Sequence, residues 1–305
     1  MNRFLLVAAL ISALVFSLGI AMRVVDDTIA PFTYAAAAGW LNVDDGREFA
    51  LKGTHTVNKF GFNADVDASE ESIWDADDLP TEGDGPARCF TNMGTTAAAL
   101  YISSDDENDA SDNNAVTVTV EGLDANWNVV TESDVALGVA SAGGTVFAQV
   151  GTATWLRVNR AYVTSTSAAV GNVYIGLDDV DGGTDGIPDT IATDSIAVIT
   201  AGENQTLQAC YTVPADFTAL VSQFCIGNLS QAAAAQDVTF RLRRSVEGAA
   251  SRTTELMTLA DSVQTCVEHD PPAIFGEKTD IELTAIAGGA SQGASGTFDV
   301  VLVPE

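Results

Sequence analysis

The sequence predicts an all-β protein: two antiparallel β-sandwich domains of jelly-roll-like build, preceded by an N-terminal hydrophobic helix. Three observations carry that prediction. From residue 50 onward, short runs rich in Val, Thr, Ile and Phe alternate with Gly, Asn, Asp and Ser turns, at the spacing of sandwiches rather than of βαβ units. Within those runs apolar residues recur at every second position. In AVTVTVEG, Val116, Val118 and Val120 share one face and the threonines take the other. Ahead of the strand-rich body, residues 4–22 form an uncharged apolar run between Arg3 and Arg23.

That run, FLLVAALISALVFSLGIAM, is long enough at about 1.5 Å per residue to cross a hydrocarbon core. It reads as a cleaved signal, a retained membrane anchor or a helix packed within an assembly. Arginine before it and Asp26 and Asp27 after it place the body on the outer side of any membrane it crosses. A chain of 305 residues is long enough for two cores. The expected division is a hydrophobic segment 1–40, a first sandwich 41–190 and a second sandwich 191–305, with the boundary region at 178–205.

Strands are expected at 98–103, 115–121, 129–131, 155–164 and 172–175 in the first sandwich. A short strand at 195–200 belongs to the boundary. The second sandwich is expected to use 208–213, 217–226, 238–245, 254–259, 279–287 and 297–303. The stretch GLDANWNVVTES supplies a turn at Asp124 to Asn126 that returns 115–121 into a hairpin partner. In TFRLRRSVEG, Phe240 and Leu242 alternate with Arg241 and Arg243, so one face packs while the arginines meet solvent, acidic neighbours or another subunit. Pro271-Pro272 is expected to interrupt any ladder. The acidic run SDDENDASDNN from 104 reads as an exposed hairpin tip.

Hydrophobic residues make up 47% of the chain, enough apolar surface to offset chain entropy, so the body folds. The formal net charge of -29 makes nucleic acid an unfavourable partner. Lys52, Lys59 and Lys278 are the only lysines. Such an imbalance suits a halophilic setting, where a Debye length of roughly 3 Å at 1 M salt screens self-repulsion; an acidic secreted protein is the plainer reading.

Several segments together resemble a family of tailed-phage and archaeal-virus virion structural proteins. They are EESIWD at 70, VTVEGLDANWNVVTE at 118, WLRVNRAYVTS at 155, YTVPADFTALV at 211, FRLRRS at 240 and IFGEKTDIELTAIA at 274. Their order holds over roughly residues 55–305, and no single motif among them is catalytic. The resemblance implies a capsid decoration, vertex turret or fibre-associated β-sandwich protein. It also implies self-association into a homo-oligomer, contact with capsid or vertex proteins, and contact with a host surface receptor.

Chemistry in the remaining residues is sparse. His55 and His269 are the only histidines, and Cys266 with His269 in TCVEHDPP would face opposite ways in a strand, so no nucleophile and base are paired and no enzyme activity is expected. Cys89, Cys210, Cys225 and Cys266 have no metal-type spacing. They read as buried thiols, with Cys210–Cys225 as the pair expected to bridge if one forms. No cofactor is expected apart from calcium. In DDVDGGTDGIPDT the carboxylates of Asp179, Asp181, Asp185 and Asp189 lie among glycines that allow the turns of a calcium loop, although a solvated acidic loop is the commoner origin of such a run. Asn204 and Asn228 begin glycosylation sequons. Trp74, Trp127 and Trp155 read mainly as core and secondarily as a sugar platform. The functional expectation is a virion-surface structural protein. Its rivals are a membrane-anchored pilus or surface-layer protein, as in archaeal pilins that join an apolar helix to a β-domain, and a secreted carbohydrate-binding module.

Overall fold

The alternating runs form strands, and the chain is nearly all β, folded into several antiparallel sheets. The computed structural model describes residues 54–75, 86–110, 115–139, 147–177, 186–229, 236–260, 262–289 and 291–305. The apolar run 4–22 lies outside the described residues, so the expected N-terminal helix does too. Among those described, no helix is long and apolar enough to cross a membrane.

Two sheets are built mostly from the second half of the chain. In one, β1 (His55–Val66), β17 (Gln292–Pro304), β12 (Phe217–Leu229) and β15 (Gln264–Phe275) lie side by side in that order. In the other the order is β11 (Cys210–Thr212), β16 (Thr279–Ala287), β13 (Val238–Val246), β14 (Arg252–Leu259), with β2 (Glu71–Ser72) also paired to β16. Inward-facing residues of both sheets share one core, including Val221 and Phe224 of β12, Phe240 and Leu242 of β13, and Phe298 and Val300 of β17.

A second pair of sheets comes from the chain between β2 and β11. One has the order β10 (Ser195–Ile199), β9 (Val173–Gly176), β3 (Tyr101–Ser104), β6 (Gly138–Val139), with β7 (Ala148–Gln149) on β3. The other is β5 (Val129–Ala136), β4 (Thr117–Asp124), β8 (Trp155–Val163). Val116, Val118 and Val120 point into the core between them with Ile102, Val158 and Ile175, as their alternation requires. A four-residue helix, α1 (Ile191–Asp194), precedes β10.

The division at residue 190 does not follow these sheets. β1 and β2, expected in the first sandwich, belong to the C-terminal sheets, whereas β10, expected in the second, pairs with β9 of the other unit. The inner unit is inserted between β2 and β11. β1 itself was not among the expected strands. Its sequence HTVNKFGFNADV alternates weakly, and it is held by a partner at the far end of the chain, from His55 opposite Leu302 to Asn63 opposite Ala294.

Two local expectations also need correction. Pro271-Pro272 does break the β12–β15 ladder, yet the strand resumes beyond it: pairing runs through Gln223–Glu268, then jumps to Val221–Ala273, so His269 to Pro272 bulge opposite Ser222. The acidic run from 104 is not simply an exposed tip. Asp109 is wholly buried and accepts hydrogen bonds from Ser104 Oγ (2.6 Å), Val170 N (2.8 Å) and Gly171 N (3.1 Å), so one carboxylate of the run closes a neighbouring turn.

Gly61 of β1 is a point where two stretches of the chain cross closely. A Cβ there would lie 2.0 Å from Ile73 O and 2.5 Å from Ala209 N, both backbone atoms that cannot swing aside. Gly61→Ala is expected to cost about 1–3 kcal/mol or more, the scale of an overpacked core, and a urea midpoint matching that of the parent chain would show that the crossing is looser than this.

Candidate functional site at the neck between the two sheet pairs

Insertion forces the chain to leave through residues 72–75 and to return through 206–210, so these two segments run side by side. They satisfy each other's backbone groups: Ala209 N donates to Ile73 O at 2.9 Å, Asp75 N to Leu207 O at 3.1 Å, and Trp74 bridges to Gln208. A small apolar core of Trp74, Cys89, Tyr174, Ile191, Val198 and Cys210 seals one side of this neck.

The disulfides lie differently from the expected pair. Cys89 bonds Cys210 inside that small core, and Cys225 bonds Cys266 across β12 and β15; neither is Cys210–Cys225, and no described cysteine is a free thiol. Cys210 on β11 and Cys225 on β12 lie in different sheets, which is why sequence proximity misled. Cys89, Cys210 and Glu282 do cluster at metal-ligand distances. They do not suit a metal, because both sulfurs are consumed in the bond and Glu282 accepts from Arg88 and Ser72 Oγ.

Polar side chains join the units across the rest of the neck. Arg157 of β8 forks onto Asp280 of β16, with Nε to Oδ1 at 3.0 Å and Nη2 to Oδ2 at 3.1 Å, and Thr212 Oγ1 donates to the same carboxylate at 2.6 Å. The guanidinium also lies 5.1 Å from the centre of the Trp127 ring. Asn159 exchanges two hydrogen bonds with the backbone of Thr212, its Oδ1 accepting at 2.8 Å and its Nδ2 donating at 3.1 Å. At the open edge of β8, Asn159 O accepts from Lys59 Nζ and from Gln208 Nε2, so side chains of the other unit cap an unpaired strand edge.

Two clefts flank this junction. The larger, about 780 Å³, is lined by Lys59, Glu121, Val129, Arg160, Tyr211 and Phe217 among others. The smaller, about 440 Å³, includes Arg88, Trp127, Arg157, Arg243 and Glu282. Arginines dominate the smaller cleft's charge: Arg88 pairs with Glu282 and Arg157 with Asp280 inside it, Arg243 pairs with Glu70 beyond its lining, and Arg244 lines it as well.

Two buried groups at the neck lack an opposite charge in hydrogen-bond contact. Burial pushes the Asp75 carboxyl up to about 7, against the hydrogen bonds from Thr200 Oγ1 (3.1 Å) and Leu207 N (3.3 Å) that favour its anion. Burial, with the Arg160 charge nearby, lowers the Lys59 ammonium to about 7, partly opposed by Glu121.

The sequence-predicted sites do not converge. Trp74, Trp127 and Trp155 are all buried and lie in different clusters, which removes the sugar platform. His55 borders the larger cleft, while His269 packs on Phe224 and its neighbour Cys266 is oxidised. Asp179, Asp181 and Asp185 lie outside the described residues, and Asp189 is exposed just before α1. Asn228 is 1% exposed and its Nδ2 donates to Gln236 O, Leu259 O and Ala260 O, so the folded chain offers no glycan acceptor there. Asn204 sits half-buried in a left-handed turn and accepts from Ala169 N. Sequence reasoning missed Lys59, Asp75, Arg157 and Asp280. The only available signal was a charge set inside otherwise apolar runs, as in ESIWD and WLRVN.

No family model matches the chain, and no curated protein matches it. Among solved structures it is similar to one of infectious bursal disease virus, Gx strain, at 9% identity over 81% of this chain and 71% of that one, with a TM-score of 0.20. The VP2 subviral particle of the same virus gives 12% identity, 81% and 72% coverage and a TM-score of 0.19. Overlays at these scores decide neither topology nor role.

Two outcomes are expected. Between about pH 4 and 7 folded Asp75 keeps a proton that the unfolded chain has released, so stability falls as pH rises through that window. Between about pH 7 and 10.5 the unfolded chain keeps the Lys59 proton that the folded chain has released, so stability rises again. Urea midpoints are therefore lowest near neutrality; Asp75→Asn should abolish the acid-side decline and Lys59→Met the alkaline rise, and unchanged slopes would refute these assignments. Separately, Arg157→Leu leaves Asp280 buried without its cation and should cost about 3–5 kcal/mol, with much of the loss recovered when Asp280→Leu is added.

Proposed function

We propose that this chain is a structural protein of a virion surface, a jelly-roll platform that carries an inserted β-unit and works by assembly rather than catalysis. Strand order carries the reading. With β2 set aside, β1 and β11 to β17 are eight strands, taken in turn as first to eighth. The first, eighth, third and sixth make one sheet, and the second, seventh, fourth and fifth make the other. That is the jelly-roll arrangement, a fold used by viral capsid and lectin domains. A shared apolar core between the two sheets supports reading them as a sandwich.

Self-association is supported by β14. It is an outer strand, exposed at every residue from Arg252 to Leu256, and Leu256 is 58% exposed. An edge with unpaired backbone groups and an exposed leucine is a template for another chain. The net charge of -29 opposes such contact at low salt and is screened at high salt. Capsid or vertex proteins are the further partners proposed, with a host receptor as an extension. Calcium binding at 178–189 stays a proposal of its own.

Mass spectrometry of purified particles should find this chain there and not in envelopes of uninfected cells; the reverse would favour a cell-surface protein. In sedimentation at molar salt the parent chain should self-associate, and Leu256→Lys should weaken this by roughly tenfold or more, the scale of one buried apolar anchor; an unchanged association would remove β14 from the contact.

A further inference from the structure

The two disulfides occupy opposite environments. Cys89 and Cys210 are 3% and 1% exposed and lie inside an apolar core. Cys225 is half-buried and Cys266 exposed, on the outer side of the sheet, beside an open groove of about 640 Å³ lined by Phe60, Phe62, Gln264 and Ser295.

The Cys225–Cys266 bond also holds a segment with no fully buried residue. β15 is an outer strand, and the His269 to Pro272 bulge separates its first half from the stretch Ala273 to Phe275 that pairs with Val221, Leu220 and Ala219. Along Gln264 to Glu268, exposed residues alternate with half-buried ones and none is fully buried. Five register pairs to β12, from Gln223–Glu268 to Gly227–Gln264, the one disulfide at Cys225–Cys266 and the packing of half-buried Val267 on the core fix that half strand. Segments with few buried contacts open locally at low free energy.

We propose that Cys225–Cys266 is an externally addressable latch: a dithiol reductant reaches it in the folded protein, and its opening frees the first half of β15 from β12. The thiolate of the reductant attacks Cys266 Sγ, forming a mixed disulfide while the S–S bond breaks. Its electron pair leaves on Cys225 Sγ, which takes up a proton. The second thiol of the reductant then closes its own disulfide and releases Cys266 as a thiol, so two cysteines are reduced and one dithiol oxidised. Freed, the half strand leaves residues 223–227 of β12 with one unpaired edge, a place where a strand from another molecule can add. Cys89–Cys210, enclosed by Trp74, Tyr174 and Ile191, offers no such approach.

The test uses the folded full chain. Dithiothreitol is added without denaturant, samples are alkylated at intervals, and modified cysteines are located by peptide mass mapping. Cys225 and Cys266 should be alkylated roughly tenfold or more faster than Cys89 and Cys210, as access controls exchange. Equal rates, earlier reaction at Cys89–Cys210, or no reaction short of unfolding would each overturn the proposal. Hydrogen exchange supplies the second readout. Reduction, or the double variant Cys225→Ser with Cys266→Ser, should accelerate exchange at 264–268 and leave 273–275 protected. Unchanged protection at 264–268 in both would show that the bond is no latch.

Discussion

The pairing of β1 with β17 constrains the rest of the structure. It seats the first described strand beside the last, so the C-terminal sheets cannot be completed without residues 55–66. The intervening chain must then leave after β2 and return before β11, and everything between becomes an insertion. Such a pairing joins residues more than two hundred positions apart, as in the Asn58 Nδ2 bond to Asp299 Oδ1. Its loop-closure cost grows only logarithmically with length, but it places the sheet's formation among slow, non-local events.

An insertion with adjacent entry and exit segments needs little adjustment from its host, and the neck shows how that adjustment is made. Residues 72–75 and 206–210 pair with each other, so neither leaves backbone groups stranded where they pass β1. The price of joining two separately cored units is that polar edges become buried. β8 ends one sheet, and its carbonyls at Val158 and Asn159 accept from Gln208, with Lys59 added at Asn159. Where the neck buries a complete pair, as at Arg157 and Asp280, the charges compensate one another. Where it buries a single charge against neutral partners, as at Asp75 and Lys59, the ionised form is disfavoured instead.

Local pattern was legible wherever the neighbours were local. β4 and β5 follow from period-two alternation and the Asp124 turn, whose Oδ1 accepts from Asn126 N and Asn128 N. The expectation of an all-β chain of antiparallel strands agrees with the sheets, although the expected division of the chain does not follow them. What alternation does not encode is which sheet a strand joins. HTVNKFGFNADV carries no sign of β17, and four cysteines allow three pairings that only the fold decides between. Asp109 in an acidic run and Asp75 after IW were illegible for a related reason, since burial of a carboxylate depends on backbone donors brought from residues distant in sequence, Val170 N and Leu207 N here.

The two disulfides separate along the same line. Cys89–Cys210 spans 121 residues and ties the inserted unit to β11 at the neck. A bond closing a loop of about 100 residues removes roughly 4–5 kcal/mol of unfolded-state entropy in the chain-entropy account. It therefore acts on the whole insertion, and the sulfurs are enclosed. Cys225–Cys266 spans 41 residues and joins positions already opposite each other in a ladder. What it adds falls on the first half of β15, beyond a bulge where the ladder has stopped transmitting order. Position in the topology, rather than bond chemistry, makes one disulfide part of the fold's closure and the other a restraint on one strand.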